Sequence, residues 1–599
     1  MPLIYPPRHY YRWQAMATFN SCVGGIGEMN ANQNTKATSK SKVLPKTALS
    51  LRGLYRQLFD CVHIINGYGK IRSHWVSAVF IASVSLFHGL DCLRRKIIPR
   101  QGRYAYSVAH FYLSCRESLP FFNNFPITLA NRSRCDEVPD ALAAWLCKAY
   151  QEGNHSSDIA ALFSTFRLPG HFCDTLSTPD PAEYFAILHA GSVIRVSLSY
   201  CGNPGALSAL LKAVMQRIPA GGSGLTLSEC ASYHRRGWSK ISRRLQGPGR
   251  DALHILQQSR FVLCLDKTQQ TDTARGARFA HLHNRFCDKA IQICADLGTG
   301  QLMLLCEHAA VDAVAANRLI DQLACRPLVS TPVEDLKPLP PLTYFSNAVD
   351  SQCCNATNSA KIRRYLAHWK ARFDCAAGFV NTCQPETLRA QGISTDLVIQ
   401  LAIYAAFRDC VGRNASMYEP VSLAAIPGRS LDFINPVNPA MLAFVRNRSP
   451  RQRVACLREA TRQHHAQITR AKEGMGMLSH LLHMTYFSSL GGAFNAINQW
   501  LMRGCLLTVI PAIRFIYQRD VMASNGMAHP GITSFGTLCH QPAMVGVGYL
   551  ISRNGIALDV VSSHAISGGV CPHKLVRRIE ANIRSIADAV PDYGGGEKI

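Results

Sequence analysis

The chain has 599 residues, of which 47% are hydrophobic and 17% charged, so it can bury sizeable cores and is not disordered throughout. Its length predicts several folding units or one large two-lobed protein. Lys and Arg number 64 against 38 Asp and Glu, which gives a net charge of +26. An excess of this sign favours polyanionic partners such as nucleic acid, anionic lipid or phosphate-bearing small molecules.

The positive charge is concentrated at the N-terminus. Residues 1–110 carry 15 basic and three acidic side chains, or +12 of the total. The basic, acid-poor stretch 1–60 is typical of an organellar targeting segment, and equally of a disordered extension. Residues 61–110 include the apolar segment 74–90, but only Trp75–Phe87 is continuously free of charge and His, about 13 residues against the ~20 of a spanning helix. We expect a buried or membrane-surface helix there.

Hydrophobic patterning predicts a mixed α/β protein. YFAILHAGSVIRVSL reads as a hairpin, RFVLCLD as a buried strand, and AIQICADLGTGQLMLLCEH as a second hairpin. Five prolines predict a linker over 327–342, between an N-terminal lobe at 111–326 and a C-terminal lobe at 343–592, with a flexible tail at 593–599. After the linker come a helix capped near Ser394, a hairpin at Asn554-Gly555 and a final amphipathic helix.

The 23 cysteines are scattered and include no C-x-x-C pair. We therefore expect reduced thiols in a reducing compartment and no metal site.

His308 follows the strand QLMLLC, where a buried strand would hold it rigidly at a cleft. Asp312 comes four residues later, on the same face if the chain turns helical, and could orient the imidazole. This spacing alone is also common in surface ion pairs. The segments around this pair favour a functional role over a surface ion pair.

Eight segments, in order, resemble the motifs of the carnitine/choline O-acyltransferase family. They are YLSCRESLPFFNNF, FSTFRLPGHFCDTL, SRFVLCLD, HNRFCDKAIQICADLGTGQLMLLCEHAAVDA, STDLVIQLAIYAAFRDCVGRNASMYEP, GRS, GMGMLSHLL, and SFGTL with VGVGYLI. The resemblance covers about residues 112–590. It implies two chloramphenicol-acetyltransferase-like lobes with an active-site tunnel between them.

The resemblance also implies an activity, the transfer of a medium- or long-chain acyl group between coenzyme A and the hydroxyl of carnitine. His308 would be the general base and Asp312 its orienting partner. Ser524 would be the oxyanion donor, or else the amide of Asn525 would serve. The implied coenzyme A contacts are Arg389, Asp396 and Glu419, and the implied acceptor and acyl contacts are Tyr418, Arg429, Ser430 and Thr533. Acyl-CoA would be a co-substrate, with no permanently bound cofactor, and we expect a mitochondrial monomer.

Several positions depart from the family motifs. Ala523-Ser524-Asn525 replaces the family's Ser-Thr-Ser, and Pro385 and Arg389 replace two lysines. Ser479 replaces an arginine that pairs with the carnitine carboxylate in the family, and Cys287 replaces a Phe. Asp432 near the acceptor pocket would favour a cationic alcohol such as choline, which is one alternative. A catalytically weakened acyl-CoA-binding relative is another. Nucleic-acid binding is the least favoured, because the basic residues come mostly as isolated pairs.

Overall fold

A computed structural model describes most of the chain beyond residue 111. The described residues are 85, 112–113, 115–132, 137–153, 162–171, 173–180, 182–216, 224–266, 279, 281–312, 315–316, 319–320, 342–381, 385–423, 431–447, 449–473, 520–526, 529–539, 544–563 and 570–590. The predicted targeting segment 1–60, the linker 327–341 and the tail 593–599 lie outside them, as does all of 61–110 except Ser85.

The chain divides into two compact units. The larger comprises 109–420, 435–466 and 519–599, and the smaller comprises 1–108, 421–434 and 467–518. In the smaller unit, the described residues Val421, Ile434 and Ala471 form a buried cluster against which Ile468 packs. The larger unit contains the predicted catalytic histidine, two mixed sheets and a small two-stranded sheet.

The helices and strands alternate along the chain, as the hydrophobic patterning predicts. The strands are β1 Asn124–Arg132, β2 Phe166–Leu168, β3 Thr175–Ser177, β4 Tyr184–His189, β5 Ser192–Ser197, β6 Val262–Asp266, β7 Ile291–Asp296, β8 Gln301–Glu307, β9 Thr343–Ser346, β10 Phe373–Val380, β11 Met417–Ser422, β12 Leu431–Ile434, β13 Val521–Gly526, β14 Ile532–Phe535, β15 Val545–Ser552 and β16 Gly555–Ser563. The α-helices are α1 Leu119–Phe122, α2 Val138–Gly153, α3 Pro204–Met215, α4 Leu227–Ala231, α5 Arg235–Ser242, α6 Gly247–Gln258, α7 Ala356–Arg372, α8 Pro385–Ala390, α9 Thr395–Val411, α10 Pro439–Arg446, α11 Pro450–Lys472 and α12 Pro572–Asp588.

Two mixed sheets form the framework of the larger unit. The first has eight strands in the order β14-β1-β8-β7-β6-β4-β5-β9, in which β6 runs parallel to β4 and β7. In the second, β10-β16-β15-β13-β11 are neighbours within this unit, and β13 runs parallel to β11 and β15. The α/β class predicted from the sequence is confirmed. Strand β14, from the C-terminal part of the chain, completes the edge of the first sheet beside β1.

Local sequence features explain where elements turn and end. Hairpin β4–β5 turns at Ala190-Gly191 with positive φ at both residues, and β15–β16 turns before Gly555, whose φ of 139° disfavours other residues. Helix α9 begins at Ser394, whose side chain accepts from the Leu397 N–H, and ends at Gly412 in the left-handed region. These predicted elements are confirmed.

The last helix buries its apolar stripe. Leu575, Ile579, Ile583 and Ile586 are all at most 3% exposed, and α12 packs on α9 and β10.

Within the described part of the chain, no helix is long and apolar enough to cross a membrane. Every cysteine there is a free thiol.

Candidate active site

Strand β8 carries His308 to the edge of the buried sheet. Its residues Leu302–Glu307 are all buried, between β1 and β7, and Glu307 pairs in register with Asn124. The strand ends at Glu307, and the chain then turns, so the His308 side chain remains partly exposed. A buried strand thus holds His308 at its end, as the sequence predicts.

The hydrogen bonds of His308 define its tautomer. Nδ1 lies 3.1 Å from the Val311 carbonyl oxygen. Because a carbonyl only accepts, Nδ1 is the protonated nitrogen of the neutral ring. Nε2 therefore carries the lone pair and accepts from the Tyr112 hydroxyl at 3.1 Å. The basic nitrogen points toward Tyr112 and away from the turn.

Aromatic rings enclose the imidazole. Tyr112 stacks on it with centroids 4.2 Å apart, and Phe125 meets it edge-on at 5.0 Å. Phe535 of β14 packs against Phe125 at 5.9 Å. Burial lowers the pKa of His308 from 6.5 to about 4. The ring is therefore a neutral base at neutral pH.

Glu307 holds the turn that presents His308. Its carboxylate is fully buried, and one oxygen accepts from the Ala309 and Ala310 N–H groups at 3.0 and 3.1 Å. The other oxygen accepts from Arg167 at 2.7 Å and from the Asn123 amide. Burial raises the pKa of Glu307, and the Arg167 guanidinium opposes that rise. These four donors fix the backbone on either side of the base.

A buried ion network supports Glu307 from behind. Arg167 bonds Asp174 at 2.7 Å as well as Glu307, and Arg235 bonds Asp174 at 2.6 Å. Arg235 also pairs with Asp288 at 2.5 Å. Burial by itself raises the pKa of Asp174, but Arg235, Arg167 and Arg116 outweigh it and lower that pKa well below its usual range. The network ties β2, β8 and α5 together beneath the site.

A second polar cluster gathers two of the predicted coenzyme A contacts. Asp396 accepts from the Tyr549 hydroxyl at 2.7 Å and from the Asn525 amide at 3.0 Å. Glu419 is buried and lies 2.8 Å from Nε2 of His464. Burial raises the pKa of Glu419, and the nearby Asp396 carboxylate raises it further. Burial by itself lowers the pKa of His464, but the Glu419 carboxylate outweighs burial and raises that pKa.

Asp396, Glu419 and His464 each present a ligand atom within 4.8 Å of the others, close enough to share a metal ion. The same atoms already have partners in Tyr549, Asn525 and one another.

The remaining predicted residues lie in varied surroundings. Asp312 accepts from the Ala315 N–H at 2.8 Å, and its orienting role toward His308 stays a prediction. Ser524 is buried in β13, beside Gly548 of β15. Arg389 is exposed on α8, whereas Tyr418 is buried on β11. Thr533 is exposed on β14 and bonds the Thr128 carbonyl at 3.4 Å. Arg429, Ser430 and Ser479 lie outside the described residues.

Sequence reasoning gave no role to Tyr112, Arg167, Asp174 or His464. Arg167 offered a signal, since a charged residue inside the apolar string FSTFRL is buried only when it is paired. Tyr112 offered none, because it lies 196 positions from His308.

The fold and the site together define an α/β protein with a neutral histidine base at the end of a central strand. The family model described as choline/carnitine O-acyltransferase matches residues 108–584. The chain therefore belongs to the choline/carnitine O-acyltransferase family.

Individual relatives are distant. The mitochondrial carnitine O-palmitoyltransferase 2 of Bos taurus is 27% identical over 459 residues, covering 71% of this chain and 66% of the bovine protein. Human choline O-acetyltransferase is 24% identical over 461 residues, covering 65% of this chain and 60% of that protein. The trichothecene 15-O-acetyltransferase TRI3 of Fusarium sporotrichioides aligns at 9% identity with a TM-score of 0.41, over 82% of this chain and 96% of that chain. The chain thus spans less than two thirds of the length of these two curated relatives.

Proposed function

We propose that the protein transfers a medium- or long-chain acyl group between coenzyme A and the hydroxyl of carnitine. The observation that carries this proposal is the neutral His308, whose Nδ1–H is held by the Val311 carbonyl so that Nε2 is the base. Membership of the family supplies the reaction class.

In the proposed reaction, Nε2 of His308 removes the proton from the acceptor hydroxyl as its oxygen attacks the thioester carbonyl carbon. The C–S bond of the tetrahedral intermediate then breaks, and the imidazolium returns its proton to the departing coenzyme A sulfur. The acceptor hydroxyl needs the position at Nε2 that the Tyr112 hydroxyl holds in this structure. No acyl-enzyme forms, so no nucleophilic Ser or Cys takes part.

The oxyanion needs a hydrogen-bond donor, and Ser524 is our candidate. For coenzyme A we propose Arg389, Asp396 and Glu419. Support comes from Asp396 and Glu419, which lie in one polar cluster, and from Arg389, which is exposed and able to pair with phosphate. Acyl-chain contact by Thr533, acceptor contact by Tyr418, Arg429 and Ser430, and a tunnel between two lobes complete the proposal.

Choline is the second candidate acceptor. Ser479 stands where the family arginine pairs with the carnitine carboxylate, and losing such a bond costs about 1.5–3 kcal/mol. A cationic alcohol without a carboxylate avoids that loss.

The decisive experiment incubates purified protein with octanoyl- or palmitoyl-CoA and either carnitine or choline, and follows the release of free thiol. We expect acceptor-dependent release that His308→Gln abolishes, with Tyr184→Phe as a folded control distant in sequence. Absence of release with every acyl chain and acceptor would refute the enzyme proposal and leave an acyl-CoA-binding relative. Release that survives His308→Gln would refute the mechanism.

For location, we propose a mitochondrial monomer in which residues 1–60 target the protein and 61–110 contact a membrane surface. The basic, acid-poor composition of these residues supports the proposal. Imaging of the full chain and of a chain lacking 1–60 tests it, since only the full chain is expected in mitochondria.

A further inference from the structure

A cationic cavity lies between helices α5 and α7, apart from the site described above. Its volume is about 360 Å³, and its walls include Arg236, Lys240 and Arg244 from one side and Lys361 from the other. None of the residues that line it belongs to the His308 site or to the Asp396 cluster. We call this feature the α5–α7 cavity.

Within the described part of the chain, the cations of the α5–α7 cavity have no acidic partner. The described residues that line the cavity include no carboxylate. Among the residues that the structure describes, no ion pair involves the four cations Arg236, Lys240, Arg244 and Lys361. By contrast, Arg363, which lies on α7 with Lys361, forms an ion pair with Glu229. Arg236 instead donates a hydrogen bond to Nε2 of His171 at 3.4 Å.

Like charges lie close together along the walls of the cavity. Arg236 and Lys240 lie one turn apart on α5, where two like charges repel each other. The positive field also reaches the neighbouring histidine: burial, and then Lys361, Arg116, Arg236 and Lys240, lowers the pKa of His234 to about 4.

The cavity also has apolar and polar neutral walls. Tyr233 and Ile362 are buried within it, and Asn358 adds an amide. Its volume lies at the lower end of the range for small-molecule sites. A half-open cavity of this size suits a small molecule better than a nucleic-acid backbone, which needs an extended basic surface.

We propose that the α5–α7 cavity binds a small molecule that carries at least two phosphate groups. Four cations converging from two walls match a multiply charged anion, and guanidinium groups bind phosphate oxygens in a bidentate manner. A single carboxylate would leave most of this charge unbalanced. This phosphate site is separate from the proposed acyl-transfer site, and the proposal does not depend on the acyl transfer.

Calorimetric titration of the full chain with inorganic pyrophosphate and with ADP tests the proposal. We expect saturable binding that weakens as salt is raised, and at least about tenfold weaker binding in the double variant Arg236→Gln/Lys240→Gln. The matched control is Arg577→Gln/Arg578→Gln, which removes two exposed cations from α12 and should bind as the unmodified chain does. If the first variant loses its circular dichroism signal, Arg244→Gln/Lys361→Gln replaces it.

Two further arms separate the sources of phosphate. Vesicles of phosphatidylcholine with phosphatidylglycerol test a lipid headgroup; binding to vesicles without binding to pyrophosphate or ADP would overturn the proposal. The KM for octanoyl-CoA in the thiol-release assay should be equal in the variant and the unmodified chain, because the co-substrate reacts at the other site. A rise in that KM parallel to the loss of pyrophosphate binding would overturn a separate site, because the cavity would then hold the co-substrate. If the unmodified chain binds neither pyrophosphate nor ADP, the proposed phosphate site is wrong.

Discussion

The Tyr112 hydroxyl donates to Nε2 of His308 at 3.1 Å while the two rings stack with centroids 4.2 Å apart. The same side chain therefore both covers the imidazole and occupies Nε2, the nitrogen that the proposed mechanism uses as the base. Its hydrogen bond stabilises the neutral ring, because protonated Nε2 cannot accept.

Tyr112→Phe keeps the stacked ring and removes the hydroxyl. We expect the pKa of His308 to rise, because the neutral form loses a hydrogen bond that the charged form never had. The acid limb of the pH–rate profile should move to higher pH, with the fold unchanged by circular dichroism. Tyr184→Phe, which removes a hydroxyl elsewhere, should leave the limb in place; an equal shift in both variants would contradict the assignment.

Activity should persist well below neutrality. Because burial lowers the pKa of His308 to about 4, the base stays unprotonated until the pH approaches that value. The limb of kcat/KM that His308 controls should therefore lie near pH 4. An acid limb of kcat/KM near pH 6.5 would instead show that the imidazole titrates as an exposed histidine does.

The same pKa shift affects stability. Between pH 6.5 and about 4 the unfolded state protonates His308 while the folded state does not, so unfolding becomes easier as the pH falls through this range. His308→Gln removes this dependence. Urea unfolding of both proteins at pH 7 and pH 5 should show a smaller loss of stability in the variant, and an equal loss would count against the shift.

Arg167 is expected to be the most sensitive position of the buried network. Arg167→Met leaves the buried Glu307 carboxylate with only neutral donors, and breaking such a pair costs about 3–5 kcal/mol of unfolding free energy. Urea denaturation measures it. Arg462→Met, which breaks an exposed pair with Glu459, is the control and should change stability little. Equal effects at the two sites would argue that Arg167 is not buried.

Gly548 tests whether β14 supports the site. A Cβ there would lie 2.2 Å from the Phe535 carbonyl oxygen, so Gly548→Ala must displace β14. Phe535 packs on Phe125, which packs on His308, and a shift of about 1 Å at a reacting group can cost 10²-fold in rate. We expect kcat/KM to fall by about that factor with the fold retained. Gly202→Ala, where an added Cβ meets nothing within 4 Å, should keep full activity.

The local pattern of the sequence determined the α/β class, the hairpins, the cap near Ser394 and the position of His308 at the end of a buried strand. Each of these depends on neighbours a few residues apart, on strand alternation, on turn residues or on a capping side chain. The order of the eight motifs also determined the family, because it needs no knowledge of distance in space.

The tertiary structure alone decided what surrounds the base. Tyr112, Arg167 and His308 are far apart in the chain and meet only because residues 112–113, β2 and the end of β8 pack together. The tautomer of His308 and its lowered pKa follow from that packing, since burial and hydrogen-bond geometry are not encoded at any one position. The same holds for the charge noted at the outset: its sum is a property of the sequence, but the four cations of the α5–α7 cavity converge only when two helices distant in sequence fold against each other.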